Sequence, residues 1–404
     1  MSLDMLAILL SFSSLAIFVL SISPQWTSGL YFGHDLSVTN HIQNSSLSPR
    51  QITATEKGDV YIVWVDKNNI YFSASNHSGN KFTPTVLLSD NNNSSSLPQL
   101  AADEKGNVYV VWVDIDNKTG DSNIMFRSSN DSGISFSTQK ELRGGKSISF
   151  FPQLAADEKG NVYVVWVDKN NKTGDRNIEF ISSNDSGMSF DHRRKLTGGK
   201  PISFFPQLAA DEKGNVYVVW VDKNNKTGDT DIVFRSSNDS GMSFDDRKKI
   251  RRSDGLLSFS PQIAATENGN VYLAWVDKNS TSGDTDISFR SSSDSGRDFK
   301  RVINLDKDEK KVSSSSLPQL ATAQNDSVYV IWVNNQIQFK EILVKDAIVG
   351  NPISLSSKGT SSQSAEITGT KNGNLYVLWI DKNNTMDRSL HFKRISQNYF
   401  DRNS

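Results

Sequence analysis

Arg50 and Glu366 are the residues whose type and position best suit a catalytic centre, because each is a singleton in a chain that otherwise repeats itself. An arginine offers a fixed fork of donors to an anionic group, and a carboxylate can hold or release a proton. Other chemistries are closed off by composition. The 404 residues include no Cys and five His, so disulfides, thiolate zinc, iron–sulfur clusters and thiol nucleophiles are excluded. The histidines lack a spacing such as H-E-x-x-H that would gather a metal. Oxygen donors do cluster in DKNNKTGD, where Asp222, Asn224 and Asp229 alternate as in a calcium loop. Lys226 stands where such a loop needs an oxygen, and no Glu occupies the twelfth place. A solvated hairpin is the preferred reading, with calcium as the alternative.

Binding candidates lie in GGKSISFFPQ (Gly144–Gln153) and GGKPISFFPQ (Gly198–Gln207). Phe151 and Phe205 offer faces for the C–H side of a sugar, and Lys146 and Lys200 stand near for an anion. The competing reading packs these rings between neighbouring sheets. Gln99, Gln153, Gln207 and Gln262 recur at one position, shared with Gln51, Gln319 and Glu366. They are candidates to line an entrance, or else to satisfy inner-strand backbone groups. Lys and Arg number 44 against 45 Asp and Glu. A chain so balanced has no global pull on nucleic acid, so none is expected as a partner.

The elements that must position these residues are repeats. Val-Tyr-x-x-Trp or a close variant recurs at Trp64, Trp112, Trp166, Trp220, Trp275, Trp332 and Trp379, about fifty residues apart. In the fourth copy, Pro206–Asp211, Val216–Asp222, Asp231–Ser237 and Met242–Ile250 read as four antiparallel strands between Gly/Asn/Asp turns. The second is apolar on both faces, so both must be covered, and no helix is available to cover them. Packing each sheet between its neighbours solves this. The fold expected is all-β: a seven-bladed β-propeller of four-stranded antiparallel blades spanning residues 35–398. The last copy ends after its third strand, so a strand near Asp35–Thr39 is expected to complete that blade and close the ring. A tail occupies 399–404.

Met5 to Ile22 carries no charge and is just long enough to span a bilayer. Residues 1–23 are therefore expected to be a signal peptide or a retained, helical membrane anchor, with a linker at 24–34. Sequons at Asn44, Asn76, Asn93, Asn117, Asn171, Asn225, Asn279, Asn325 and Asn383 fit an exported glycoprotein. An extracellular or cell-surface location is expected.

Between the third and fourth strands lies Ser-x-Asp-x-Gly-x-x-Phe: SNDSGISF (Ser129–Phe136), SNDSGMSF (Ser183–Phe190 and Ser237–Phe244) and SSDSGRDF (Ser292–Phe299). The Asp can accept N–H bonds inside its own turn while the Gly takes φ > 0. This motif is the Asp-box, and the chain resembles the sialidase-like (BNR/Asp-box) β-propeller superfamily over roughly residues 36–398. The resemblance implies that Asp131, Gly133, Asp185, Gly187, Asp239, Gly241, Asp294 and Gly296 are structural. It also implies, for enzymes of the family, three arginines on a substrate carboxylate, a Tyr/Glu nucleophile pair and an Asp acid. The first arginine usually lies in Arg-Ile-Pro. Here Arg50-Gln51-Ile52-Thr53 departs from that pattern, and those sialidases typically have six blades.

Catalysis needs singletons, whereas copies two to four are nearly identical. The expected role is a monomeric surface module that binds a glycan or a surface protein, without a required cofactor. A sialidase-like glycoside hydrolase and a structural surface-coat component are the alternatives.

Overall fold

In a computed structural model, the residues described are 50–397 and the strands Leu30–Phe32 and Leu36–Ser37. Stretches 77–78, 91–92, 144–147, 171–172, 199–201, 225, 253–255, 280, 307–316, 324–326, 335, 344–347, 350–351, 357–360 and 383–387 are excepted. The leader at 1–23, Lys146 and Lys200 lie outside the described residues, as do the sequons at Asn44, Asn171, Asn225, Asn325 and Asn383. Among the described residues no helix is long and apolar enough to cross a membrane.

The architecture is all-β, in antiparallel sheets that follow the sequence repeats, and has the form of a β-propeller. In the fourth repeat the strands are Ile202–Ala210, Val216–Lys223, Thr230–Ser237 and Lys248–Arg251, hydrogen-bonded in that order. The inner strand starts four residues earlier than its Pro206 suggested. Phe204 pairs with Val221 but Gln207 with Val219, so a bulge at Phe205–Pro206 absorbs the missing N–H and pairing resumes on either side. The outer strand is shorter than expected, because Met242 belongs to the preceding turn.

Both faces of each Trp strand are buried, as the pattern required. Val216, Val218 and Trp220 pack with Tyr163, Val165 and Val167 of the third repeat. Tyr217, Val219 and Val221 face Val271, Leu273 and Trp275 of the fifth. The same arrangement joins the ends of the chain: Ile52, Val60, Ile62 and Trp64 of the first repeat pack with Tyr376, Leu378 and Ile380 of the seventh. Leu36–Ser37 pairs with Arg388–Gln397, the third strand of the seventh repeat. Leu30–Phe32, inside the stretch expected to be a linker, pairs with that strand as well.

Turns between inner and second strands gather acidic residues. Glu104 Oε1 accepts the N–H of Glu56, and Glu158 Oε2 accepts that of Glu104. Lys371 of the seventh repeat reaches Glu56, Glu212 and Glu267, which belong to the first, fourth and fifth. Burial pushes the Glu158 carboxyl up; the Glu104 N–H opposes this, Glu104 and Asp103 add to it, and Lys371 opposes it. A carboxylate raised in the folded state binds protons more readily there, so it weakens the fold as pH rises through its folded value. Lys371→Met is therefore expected to destabilise the protein by about 1 kcal/mol near pH 7, since these pairs are half-exposed and screened. The deficit should shrink between pH 7 and about pH 4 as the raised Glu158 carboxyl, which Lys371 holds down, protonates. Thermal melting at both pH values checks this, and a pH-independent deficit would contradict it.

Candidate functional site at the propeller mouth

Strand direction sorts the loops onto two rims. Inner strands begin, and second strands end, at the mouth; the Asp-box turns lie at the other rim. The Ser, Asp and Gly of these turns bond to one another within the turn. Asp239 Oδ1 accepts the Ser237 hydroxyl (2.7 Å) and the Ser243 N–H (2.9 Å), and Ser237 Oγ accepts the Gly241 N–H (2.9 Å). Equivalent bonds hold Asp131, Asp185 and Asp294, with Gly133, Gly187 and Gly296 at φ near +80°. Burial raises the Asp185 carboxyl, but bonds from Ser189 and Ser183 prevail and bring it down to about 2. Its stabilising contribution is complete above the ordinary carboxylate range and fades as pH falls toward 2. Each box also clamps the preceding repeat: Phe244 meets Phe180 edge-on at 5.0 Å, and Phe190 meets Phe126 at 5.1 Å.

Arg235 and Arg290 also recur by repeat. Arg235 donates to the carbonyls of Asp245, Phe244 and Leu196, and Arg290 to those of Lys300, Phe299 and Ile250.

At the mouth, Phe151 and Phe205 meet with ring centroids 4.9 Å apart. Phe150 and Phe204 extend the contact to four rings across two repeats. All four are half-buried and also pack against the inter-repeat cores. Phe151 and Phe205 have φ of 53° and 52°, a left-handed conformation that costs a bulky residue about 1–3 kcal/mol. Leu97 and Ser260 share this backbone in the flanking repeats, but only the third and fourth place aromatic rings there.

Gln99, Gln153, Gln207 and Gln262 follow the bulges in matching register, opposite Val111, Val165, Val219 and Ala274. They are half-buried, and among the described residues none makes a side-chain hydrogen bond. Glu366, opposite Leu378, holds the same register in the seventh repeat. Arg50, opposite Trp64, sits one place before Gln51 in the first. Their two strands are neighbours.

The calcium candidates are otherwise engaged. Asp222 is buried, accepts the Ser203 hydroxyl (2.6 Å) and Trp220 Nε1–H (2.8 Å), and pairs with Arg247. Asn224 caps its own turn by accepting the Lys226 N–H, and Asp229 contributes its backbone carbonyl to the same hairpin. Beneath the mouth this carboxylate recurs: Asp277, also buried, is bound by Ser258 and Trp275 and paired with Arg251, and Asp168, half-buried, is bound by Ser149 and paired with Arg143. Reading from sequence missed these sets. The signal was a Ser nineteen residues ahead of each Asp in repeats two to five.

No family model matches the chain, and no curated protein matches it in sequence. Among solved structures, a polysaccharide lyase of family PL25, an ulvan lyase bound to -[GlcA(1-4)Rha3S]-, superposes with a TM-score of 0.63 at 10% identity, covering 88% of this chain and 95% of that one. Polysaccharide lyase Uly1 gives 0.62 at 12% identity over 91% and 99% of the two chains. The α-L-arabinanase of Penicillium chrysogenum gives 0.53 at 14% identity over 79% and 100%. At these identities the likeness is one of fold: the resemblance carried by the Asp-boxes holds at that level, and the chain shares the β-propeller of glycan-acting proteins.

Proposed function

We propose that the chain closes as a seven-bladed propeller, exported to the cell surface, and binds a glycan at its mouth. Among the described residues, seven apolar clusters, each joining consecutive repeats and one joining seventh to first, support the blade number and the closure. The apolar Met5–Ile22 and the sequons support export. One observation carries the binding reading: half-buried glutamine amides without partners among the described residues stand beside a four-ring aromatic surface. Sugars present apolar C–H faces and hydroxyls together, and this surface offers rings and amides together. The named activities of the structural neighbours, two polysaccharide lyases and an arabinanase, favour the same ligand class.

A glycan panel on the purified full chain, with and without calcium, tests it. Phe151→Ala and Phe205→Ala should each weaken the binding about tenfold, the loss of one ring contact. A blank panel would leave the surface-coat reading in possession. Arg50 and Glu366 on neighbouring strands favour a second reading, a sialidase-like hydrolase. Turnover of a fluorogenic sialoside that Arg50→Ala abolishes would establish that enzyme reading over binding alone.

A further inference from the structure

The chain ahead of Leu30 emerges at the rim of the Asp-boxes. Arg388–Gln397 leaves a hairpin at the mouth, where Arg388 pairs with Lys382, and ends at the box rim, where Ser396 pairs with Asn374. Leu30 pairs with Gln397 and Leu36 with Phe392, so Leu30 lies at the box end. Only residues 23–29 separate it from the apolar stretch Met5–Ile22. Extended, that connector reaches at most about 25 Å. Any membrane holding the apolar stretch is therefore held close to the box rim.

That rim carries the most exposed large apolar side chains among the described residues. Ile134, Met188 and Met242 are 81%, 72% and 64% exposed and occupy one position in the boxes of repeats two, three and four. Beside each box sits the inner turn of the same repeat, joined by Ser132 N–H to Gly106 O, Ser186 N–H to Gly160 O and Ser240 N–H to Gly214 O. The tips of those turns are exposed lysines: Lys105, Lys159 and Lys213. Carboxylates stand beside the lysines and keep their charge: Asp131, Asp185 and Asp239 accept bonds within their boxes, Glu104 and Glu158 accept backbone N–H groups, and Glu212 pairs with Lys371. Three adjacent repeats thus each present one exposed apolar tip on a rim of mixed charge. Apolar side chains raised from a polar surface are the part of a protein that enters a bilayer interface.

We propose that the box rim of repeats two to four rests on the lipid bilayer that holds the apolar segment, with Ile134, Met188 and Met242 entering the interface. The mouth then points away from the membrane, toward ligands in solution or on a facing surface. This orientation concerns the opposite rim and stands whether or not the mouth takes a glycan.

The absence of cysteine makes the test direct. Ile134→Cys, Met188→Cys and Met242→Cys, each in the full chain, take an environment-sensitive fluorophore after reconstitution into phosphatidylcholine–phosphatidylserine vesicles. Lys118→Cys and Thr173→Cys serve as mouth probes, and melting curves confirm that every variant is folded. Spin-labelled lipid should quench the three box probes severalfold and leave the mouth probes unchanged. Equal quenching at both rims, stronger quenching at the mouth, or box probes untouched by lipid would overturn the proposal. So would a full chain that does not partition with vesicles, or box probes shielded by self-association of the chain instead of by lipid.

Discussion

Gly241→Ala is expected to destabilise the fold by about 3–4 kcal/mol, while Gly228→Ala costs about 1–2. Both glycines have φ near +80°, at +81° and +79°, so both substitutions carry the same left-handed backbone penalty. The surroundings differ. A Cβ on Gly228 meets nothing within 4 Å, whereas one on Gly241 lies 2.4 Å from Cζ of Phe180. That ring is fully buried in the preceding repeat and is braced edge-on by Phe244, so it cannot retreat without opening the interface. The difference between the variants in urea denaturation isolates the inter-repeat contact from the backbone term. Phe180→Leu in the Gly241→Ala background should recover part of the loss, because the pair is in contact and its effects are not additive. Equal costs for the two glycines would show that the box is a local turn and not a clamp between sheets.

Asp222→Ala should cost about 2–4 kcal/mol, since it takes a charged acceptor from buried donors and the anion from a partly exposed arginine. It strands three groups at once: Arg247, Trp220 Nε1–H and the Ser203 hydroxyl. Asp222→Asn keeps an acceptor for the serine and the indole but not the charge, and should fall between. Arg247→Met in the alanine background should restore stability relative to Asp222→Ala alone, since the orphaned cation is then gone. Chemical denaturation of the three variants decides the matter. Were Asp222→Ala neutral, the carboxylate would be free for another use, and the calcium reading of its loop would return.

Trp strands were legible because fully apolar ribbons without helices leave one way to hide both faces, and the boxes because Ser, Asp and Gly each have one geometric use in that turn. Inner strands were harder to read. Pro152 and Pro206 mark strand ends by their missing N–H, yet bulges at Phe151 and Phe205 carry pairing past them. Pairwise distance was harder still. Asp222 follows an apolar run and precedes Lys-Asn-Asn, so it reads as the first residue of a wet loop; its serine lies on the inner strand and its arginine just ahead of the outer one. Of the candidate site, the residue types were visible but their engagement was not: a glutamine that caps a backbone and one that faces a ligand have the same pattern in sequence.

The strand Leu36–Ser37 finds its partner in Arg388–Gln397. Ribosomal synthesis therefore delivers the first of these long before the second, by tens of seconds at about 5–20 residues per second. Through that interval the early segment has no place to dock, and the nascent sheets present a growing, unsealed flank. Whatever escorts this chain during translation has to guard its beginning until its end arrives.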